Sequence, residues 1–140
     1  MKAEIGPTDD IAACQAMRYA VFVTEQGVVL SDEQDGQDDI AHHILARLGG
    51  QAVGAARIVI KAETGKIGRV CVLPEHRGKG LGAGLIRASL DHLRQVPGVT
   101  RAELGAQAYA LSFYERQGFV AFGPEYEEIN TPHQNMEQAL

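Results

Sequence analysis

The sequence predicts a mixed α/β fold with a mostly antiparallel central sheet flanked by helices, and three observations carry that expectation. Gly49 and Gly50 join two apolar, strand-like runs into a hairpin. A β-branched run from Ile67 to Leu73 leads through a glycine-rich turn into an amphipathic helix, and shorter strand and helix patterns then alternate to the end of the chain. The hairpin requires antiparallel pairing, while the strand, turn and helix imply a right-handed crossover near the centre of the sheet. With 140 residues, 45% of them hydrophobic, the chain can bury one core and is short for two, so a single domain over 1–140 is expected.

Thr8, followed by Asp9 and Asp10, forms a helix start, and Ile11, Cys14, Met17 and Val21 continue an apolar stripe to about Val23. The segment from Ser31 to Asp39 is rich in acids and is expected to be a solvated loop. Ala41 to Leu48 and Ala52 to Ile60 are the strands of the hairpin. Ile67 to Leu73, stopped by Pro74, has the composition of a central strand. Leu81, Leu85, Ile86, Leu90 and Leu93 share one face of a helix that ends before Pro97 and Gly98. Thr100 to Ala106 is a strand, Ala108 to Gln117 a helix stopped by Gly118, and Phe119 to Phe122 a further strand. His133 to Glu137 closes the sheet.

Composition excludes several classes of partner. The net charge is −5 and no basic run is long enough to follow a duplex, so no nucleic-acid partner is expected. The short cationic stretch from Arg77 to Lys79 suits one small polyphosphate instead. Cys14 and Cys71 lie far apart with no paired spacing, which indicates neither disulfide nor metal and fits a reducing, cytoplasmic setting. Met1 to Pro7 lacks the apolar run of a leader, and no segment approaches the roughly 20 apolar residues that span a bilayer, so no membrane partner is expected.

The chemistry concentrates in Val70-Cys71-Val72-Leu73-Pro74-Glu75-His76-Arg77-Gly78-Lys79-Gly80-Leu81-Gly82. Glycines at 78, 80 and 82 allow successive backbone N–H groups to converge, and the helix that follows adds the positive end of its dipole, so a pyrophosphate can be held by main chain. Arg77 and Lys79 add charge to the same anion. A plain tight turn needs fewer glycines and no flanking cations. Gly78, Gly80 and Ala83 also satisfy the dinucleotide pattern G-x-G-x-x-A, with Glu103 about twenty residues on; a dinucleotide fold, however, needs several further parallel strands, and Glu103 falls inside its strand.

This stretch resembles the acetyl-CoA motif, [Q/R]-x-x-G-x-G/A, of the GNAT acetyltransferase superfamily, with Arg77, Gly80 and Gly82 at its defining positions. The run from Gln107 to Phe119 is similar to the superfamily's N-x-x-A-x-x-x-Y-x-x-x-G-F segment, Gln107 replacing the usual Asn. V-F-V-T-E-Q at 21 to 26, H-H-I-L at 42 to 45, G-R-V at 68 to 70, G-A-Q-A at 105 to 108 and P-H-x-x-M at 132 to 136 resemble the ElaA-like branch, and together the matches cover most of the chain. Where that branch reads Glu-x-Gly-Ile-Pro-His, this chain has Glu128, Ile129, Asn130, Thr131, Pro132 and His133, which bears on acceptor identity.

The resemblance implies a GNAT fold and transfer of an acetyl group from acetyl-CoA to a primary amine of a small molecule or peptide. It implies that the pantetheine arm pairs with Val70, Cys71 and Val72 like an added strand, and that Arg77, Gly78, Lys79, Gly80, Leu81, Gly82, Gln107 and Ser112 belong to the coenzyme site. Tyr114, at the motif tyrosine, is implied as the general acid that protonates the departing thiolate. An attacking amine must also lose a proton, through a base or an ordered water, and His43, His133, Glu25 and Glu128 are the candidate bases. His43 and His133 are the better pair for shaping the acceptor pocket, with Glu25 and Gln26 at its wall. The acidic segment could attract a cationic acceptor, and Cys71 could in principle carry the acyl group, although a buried strand cysteine is usually a small hydrophobe. A coenzyme-binding module without transfer chemistry is the alternative from another class, and a homodimer is left open.

Overall fold

The computed structural model describes residues 2–140; Met1, the first residue of the stretch examined for a leader, lies outside them. Seven strands form one sheet: β1 (Ala3–Thr8), β2 (His42–Leu48), β3 (Gln51–Lys61), β4 (Thr64–Val72), β5 (Arg101–Gln107), β6 (Val120–Glu128) and β7 (Thr131–Ala139). Their spatial order is β1-β2-β3-β4-β5-β7-β6, and every neighbouring pair is antiparallel except β4 and β5. The mixed, mostly antiparallel sheet that the sequence predicts is therefore the fold observed. The helices are α1 (Ile11–Arg18), α2 (Leu30–Glu33), α3 (Leu81–Arg94) and α4 (Leu111–Arg116).

Alternation along the strands divides the core between two faces. Ile44, Ala46, Val53, Ile58 and Ile67 lie under α3, whose Leu81, Leu85, Ile86, Leu90 and Leu93 are all buried, as the helical periodicity requires. Leu45, Ala55 and Cys71 face the other way and pack against Cys14 and Val21 from the α1 segment. α3 is the connection that makes β4 and β5 parallel.

Three expectations need correction. Residues 3–8 form an edge strand paired with β2, which the sequence reading missed because Gly6 and Pro7 mask the pattern; an edge position tolerates the missing N–H of proline. The helix cap is Asp10, whose side chain accepts from Ala13 N at 3.1 Å, while Thr8 Oγ1 accepts from Asp10 N at 3.1 Å. The helix extends past Arg18 as a wide, π-type turn over Tyr19–Glu25.

Nor is the acidic segment a solvated loop. Residues 30–33 form α2, and the acids that follow are matched to arginines. Arg18, 1% exposed, bonds Glu33 through Nε and Asp38 through Nη2 at 2.5 Å. Arg57 grips Asp35 at 2.7 and 2.8 Å and Asp38 at 3.2 Å. Arg69 reaches the carbonyl of Glu33 at 3.2 Å and Asp35 at 3.4 Å. Hydrogen bonds from Arg57 hold the Asp35 carboxyl down at about 2. The segment is thus a strap tied across α1, β3 and β4.

Two outcomes are expected. Arg18→Ala strands the buried Glu33 carboxylate and should lower unfolding free energy by about 3–5 kcal/mol in urea titrations. Asp35 has a depressed carboxyl in the folded protein, so its contribution is present above about pH 4 and is lost as pH falls through about 2. Arg57→Met should flatten that acid limb in denaturation midpoints measured from pH 5 to about 2.

Candidate active site

β4 and β5 hydrogen bond only from Thr64↔Arg101 to Lys66↔Glu103 and then part. A cavity of 670 Å³ opens between them, walled by residues 67–72 of β4 and by Leu104, Gly105 and Gln107 of β5. Arg69, at a φ of 51°, marks the bulge where β4 turns away and its register against β3 shifts. Val21, Phe22 and Gln26, at the π-type turn, form another part of the wall.

At one end of the cavity stands the glycine turn. Gly78 and Gly80 have φ of 79° and 80°, in the left-handed region that disfavours other residues. Gly80 caps α3 without a side chain, and the N–H of Gly84 is the one that bonds back to Gly80 O, at 3.0 Å. The amides of Leu81, Gly82 and Ala83 therefore lie at the helix end as donors for an anion. A Cβ on Gly82 would meet Phe113 only at 3.7 Å, so the fold tolerates one there, and its absence leaves room in the cavity.

Arg77 is engaged on three donors: both Nη atoms bond Glu25 at 2.7 and 2.6 Å, and Nε bonds Val72 O at 3.0 Å. The Arg77 guanidinium holds the Glu25 carboxyl below its ordinary range. Glu25 and Gln26 thus stand beside the glycine turn, and Gln26, not Glu25, lines the cavity. Lys79 and Ser112 are exposed and outside the lining.

Tyr114 and Phe113 enter the cavity from α4, and Tyr114 packs edge-on against Phe113 and Phe119. Burial pushes the Tyr114 phenol above its ordinary value, so it keeps its proton at neutral pH. From β7, His133 lines the same cavity. Its ring stacks on Tyr126 at 5.7 Å, and Nδ1 lies 2.8 Å from Thr131 O.

Two of the expected acceptor residues lie elsewhere. His43 is buried on β2, where Nε2 donates to Asp38 O at 3.0 Å and fastens the strap; it borders a separate 530 Å³ hollow near His42 and His92. Glu128 is exposed at the tip of the β6–β7 hairpin. Gln107 lies directly opposite His133 in the β5–β7 ladder. Sequence reasoning missed Phe22, Arg69, His76 and Tyr126. Gly105 was a usable signal for the last, since a Cβ there would meet Tyr126 Oη at 2.4 Å.

No carboxylate is among the residues lining the cavity; its charged or titratable side chains include Arg69, His76, Arg77 and His133. Among the described residues no cluster of His, Cys, Asp or Glu could hold a metal. No helix of the described residues is long and apolar enough to cross a membrane. The dinucleotide pattern finds no matching fold: among the described residues β4–β5 is the only parallel pair, and Glu103 is held within its strand by Arg101 at 2.9 Å.

The acetyltransferase (GNAT) domain model matches residues 11–140. The chain belongs to the GNAT acetyltransferase family. ElaA of Escherichia coli strain K12 is 35% identical over 125 residues, covering 86% of this chain and 81% of its own length. Its crystal structure superposes with a TM-score of 0.83 over 98% of both chains. An acyl-CoA N-acyltransferase from Pseudomonas aeruginosa superposes at 0.86 with 31% identity over 99% of both chains. A GNAT acetyltransferase from Elizabethkingia anophelis, crystallised with acetyl-CoA bound, shares the fold at 0.76 and 14% identity over 99% of this chain and 98% of its own. The GNAT resemblance and its ElaA-like branch thus hold, and the chain is an enzyme of the N-acetyltransferase type.

Cys71 lines this GNAT cavity but is 4% exposed, and burial pushes its thiol to about 12. Burial likewise raises Cys14 to about 11. A thiol so rarely ionised is a poor nucleophile. Native protein at about pH 8 should leave both cysteines unreacted with Ellman's reagent, and both should react once the chain is unfolded in guanidinium. Rapid release from one thiol of the native protein would reopen a covalent route.

Proposed function

We propose that the protein, as one domain over 1–140, transfers the acetyl group of acetyl-CoA to a primary amine of a small molecule or peptide by direct attack with both bound. Two buried, unpaired thiols fit work in a reducing compartment such as the cytoplasm. The observation that carries the reading is one cavity that joins an uncapped helix end to a half-buried tyrosine across strands that have parted.

The cavity suits such a coenzyme in three ways. The amides at Leu81, Gly82 and Ala83 are donors for a diphosphate, with Gly78 and Gly80 keeping the approach clear of side chains. Arg77 and Lys79 add positive charge beside them. Beyond Lys66, the β4 edge facing β5 carries backbone groups with no ladder partner, so Val70, Cys71 and Val72 can bond an extended arm as a neighbouring strand would, with Gln107 of β5 also in the lining and Ser112 reaching the arm only from outside it. Acetyl-CoA supplies an activated thioester.

Tyr114 is the proton donor in this reading. Burial keeps its phenol protonated, and Phe113 and Phe119 fix its ring, so the proton is available to the departing thiolate. Gln26 and His133 line the acceptor side, and Glu25 orients Arg77 from outside the lining. His43 and Glu128, outside the cavity, act on the acceptor only through the strap and the hairpin tip.

Tyr114→Phe retains the ring and loses the proton. Turnover against a panel of primary amines should fall roughly 10²- to 10⁴-fold, with the acetyl-CoA dissociation constant from calorimetry changed less than about twofold. Equal turnover in the two proteins would remove Tyr114 from the chemistry, and no binding of acetyl-CoA by the wild type would end the whole reading.

A further inference from the structure

An acceptor amine bound in this cavity meets no carboxylate in the lining, so the group that takes its proton must be sought among the few titratable side chains that are there. Arginines do not accept protons. Cys71 and the phenol of Tyr114 are held protonated by burial. Tyr109 is 80% exposed at the rim. That leaves two imidazoles. His76 stands one residue before Arg77, at the glycine turn. His133 stands on β7 opposite Gln107, the residue just before the short turn over Ala108–Ala110 that leads into the Tyr114 helix.

The proton on His133 is placed by its neighbour. Nδ1 is 2.8 Å from the carbonyl of Thr131, and a carbonyl oxygen can only accept, so Nδ1 is the donor. In the neutral ring Nε2 then carries the free lone pair, and no group among the described residues bonds it. The ring is also fixed in orientation. Tyr126 lies directly across the β6–β7 pair and stacks on it at an interplanar angle of 25°. Tyr126 Oη in turn donates to Asn135 Oδ1 at 2.9 Å and fits only because residue 105 is glycine. The hairpin that sets this register turns through Ile129 and Asn130, both at positive φ, where the sequence departs from the pattern of its branch.

We infer that His133 is the base that deprotonates the acceptor amine, through Nε2. The inference rests on the acetyl-transfer reading and deepens it. An ammonium gives one proton to Nε2, which frees the nitrogen lone pair. The N–C bond then forms at the acetyl carbon as the C–S bond breaks, and its electron pair leaves on sulfur. Tyr114 gives that sulfur a proton, and the second proton shed by nitrogen on becoming an amide replaces it on the phenol. The imidazolium of His133 returns its proton to water.

Two measurements decide it. Long-range proton–nitrogen correlation spectra of the protein labelled with ¹⁵N-histidine should show the His133 ring protonated at Nδ1 and bare at Nε2; a proton on Nε2 in the neutral ring overturns the inference without reference to turnover. His133→Ala, assayed with the best acceptor among tyramine, glycinamide and spermidine, should lose about 10²-fold or more in kcat, with the acetyl-CoA dissociation constant unchanged and part of the loss restored by added imidazole. A kcat within about threefold of wild type overturns it, and so does a loss that imidazole leaves untouched, which would make His133 a positioning residue. If the wild type acetylates no amine while binding acetyl-CoA, the transfer reading fails and this one with it. If transfer proceeds and only the His133 results fail, the transfer reading stands alone.

Discussion

Three residue pairs hold β4 to β5, and the site depends on there being no more. Parallel strands that remained paired would satisfy each other's N–H and C=O groups and leave a closed sheet. Here Arg101 fastens the paired end, bonding Thr64 of β4, Glu103 of its own strand and Glu137 of β7 at 2.6 to 3.3 Å. At the other end the bulge at Arg69 swings β4 outward, and α3 begins where it ends. Pinned at one end and parted at the other, the two strands present unpaired backbone to a cavity that the core does not fill.

The parting needs something to hold β4 from the other side, and the acidic strap supplies it. Glu33, Asp35 and Asp38 face Arg18, Arg57 and Arg69, three negative groups against three positive ones. Such buried pairing adds little net stability over apolar packing, yet removing one partner is costly, so it fixes one arrangement firmly. That arrangement sets α1, the π-type turn behind Phe22 and the bulged strand relative to one another. It also ties Glu33 and Asp35 to Arg69, a strap arginine that lines the cavity as well.

What the sequence made legible was set by local pattern. Period-2 runs around Gly49 and Gly50, the apolar face of α3 and the glycine turn each depend on neighbours in sequence, and each is where the pattern put it. β1 was hidden because an edge strand needs little apolar alternation and can carry Pro7. The strap was misread because an acid looks solvated until its arginine is known, and Arg18 and Arg57 lie 15 to 22 residues away from theirs. His43 and His133 were indistinguishable as strand histidines. Only the fold separates one that ties down the strap from one that faces the cavity.

The motif arginine shows how a local signal can be right in place and incomplete in meaning. Arg77 stands beside the glycine turn, yet its guanidinium is spent on Glu25 and on the carbonyl that ends β4. Both partners of that ion pair are more than a third exposed, and exposed pairs of this kind are weak, so exchanging Glu25 for an arriving anion costs little. The helix-end amides, by contrast, have no partner to give up. Fixed donors at the start of α3 can therefore carry affinity for a diphosphate, while Arg77, through Val72, ties the glycine turn to the strand along which an extended ligand would lie. Glu25, once released, would be a free carboxylate next to Gln26, which lines the cavity.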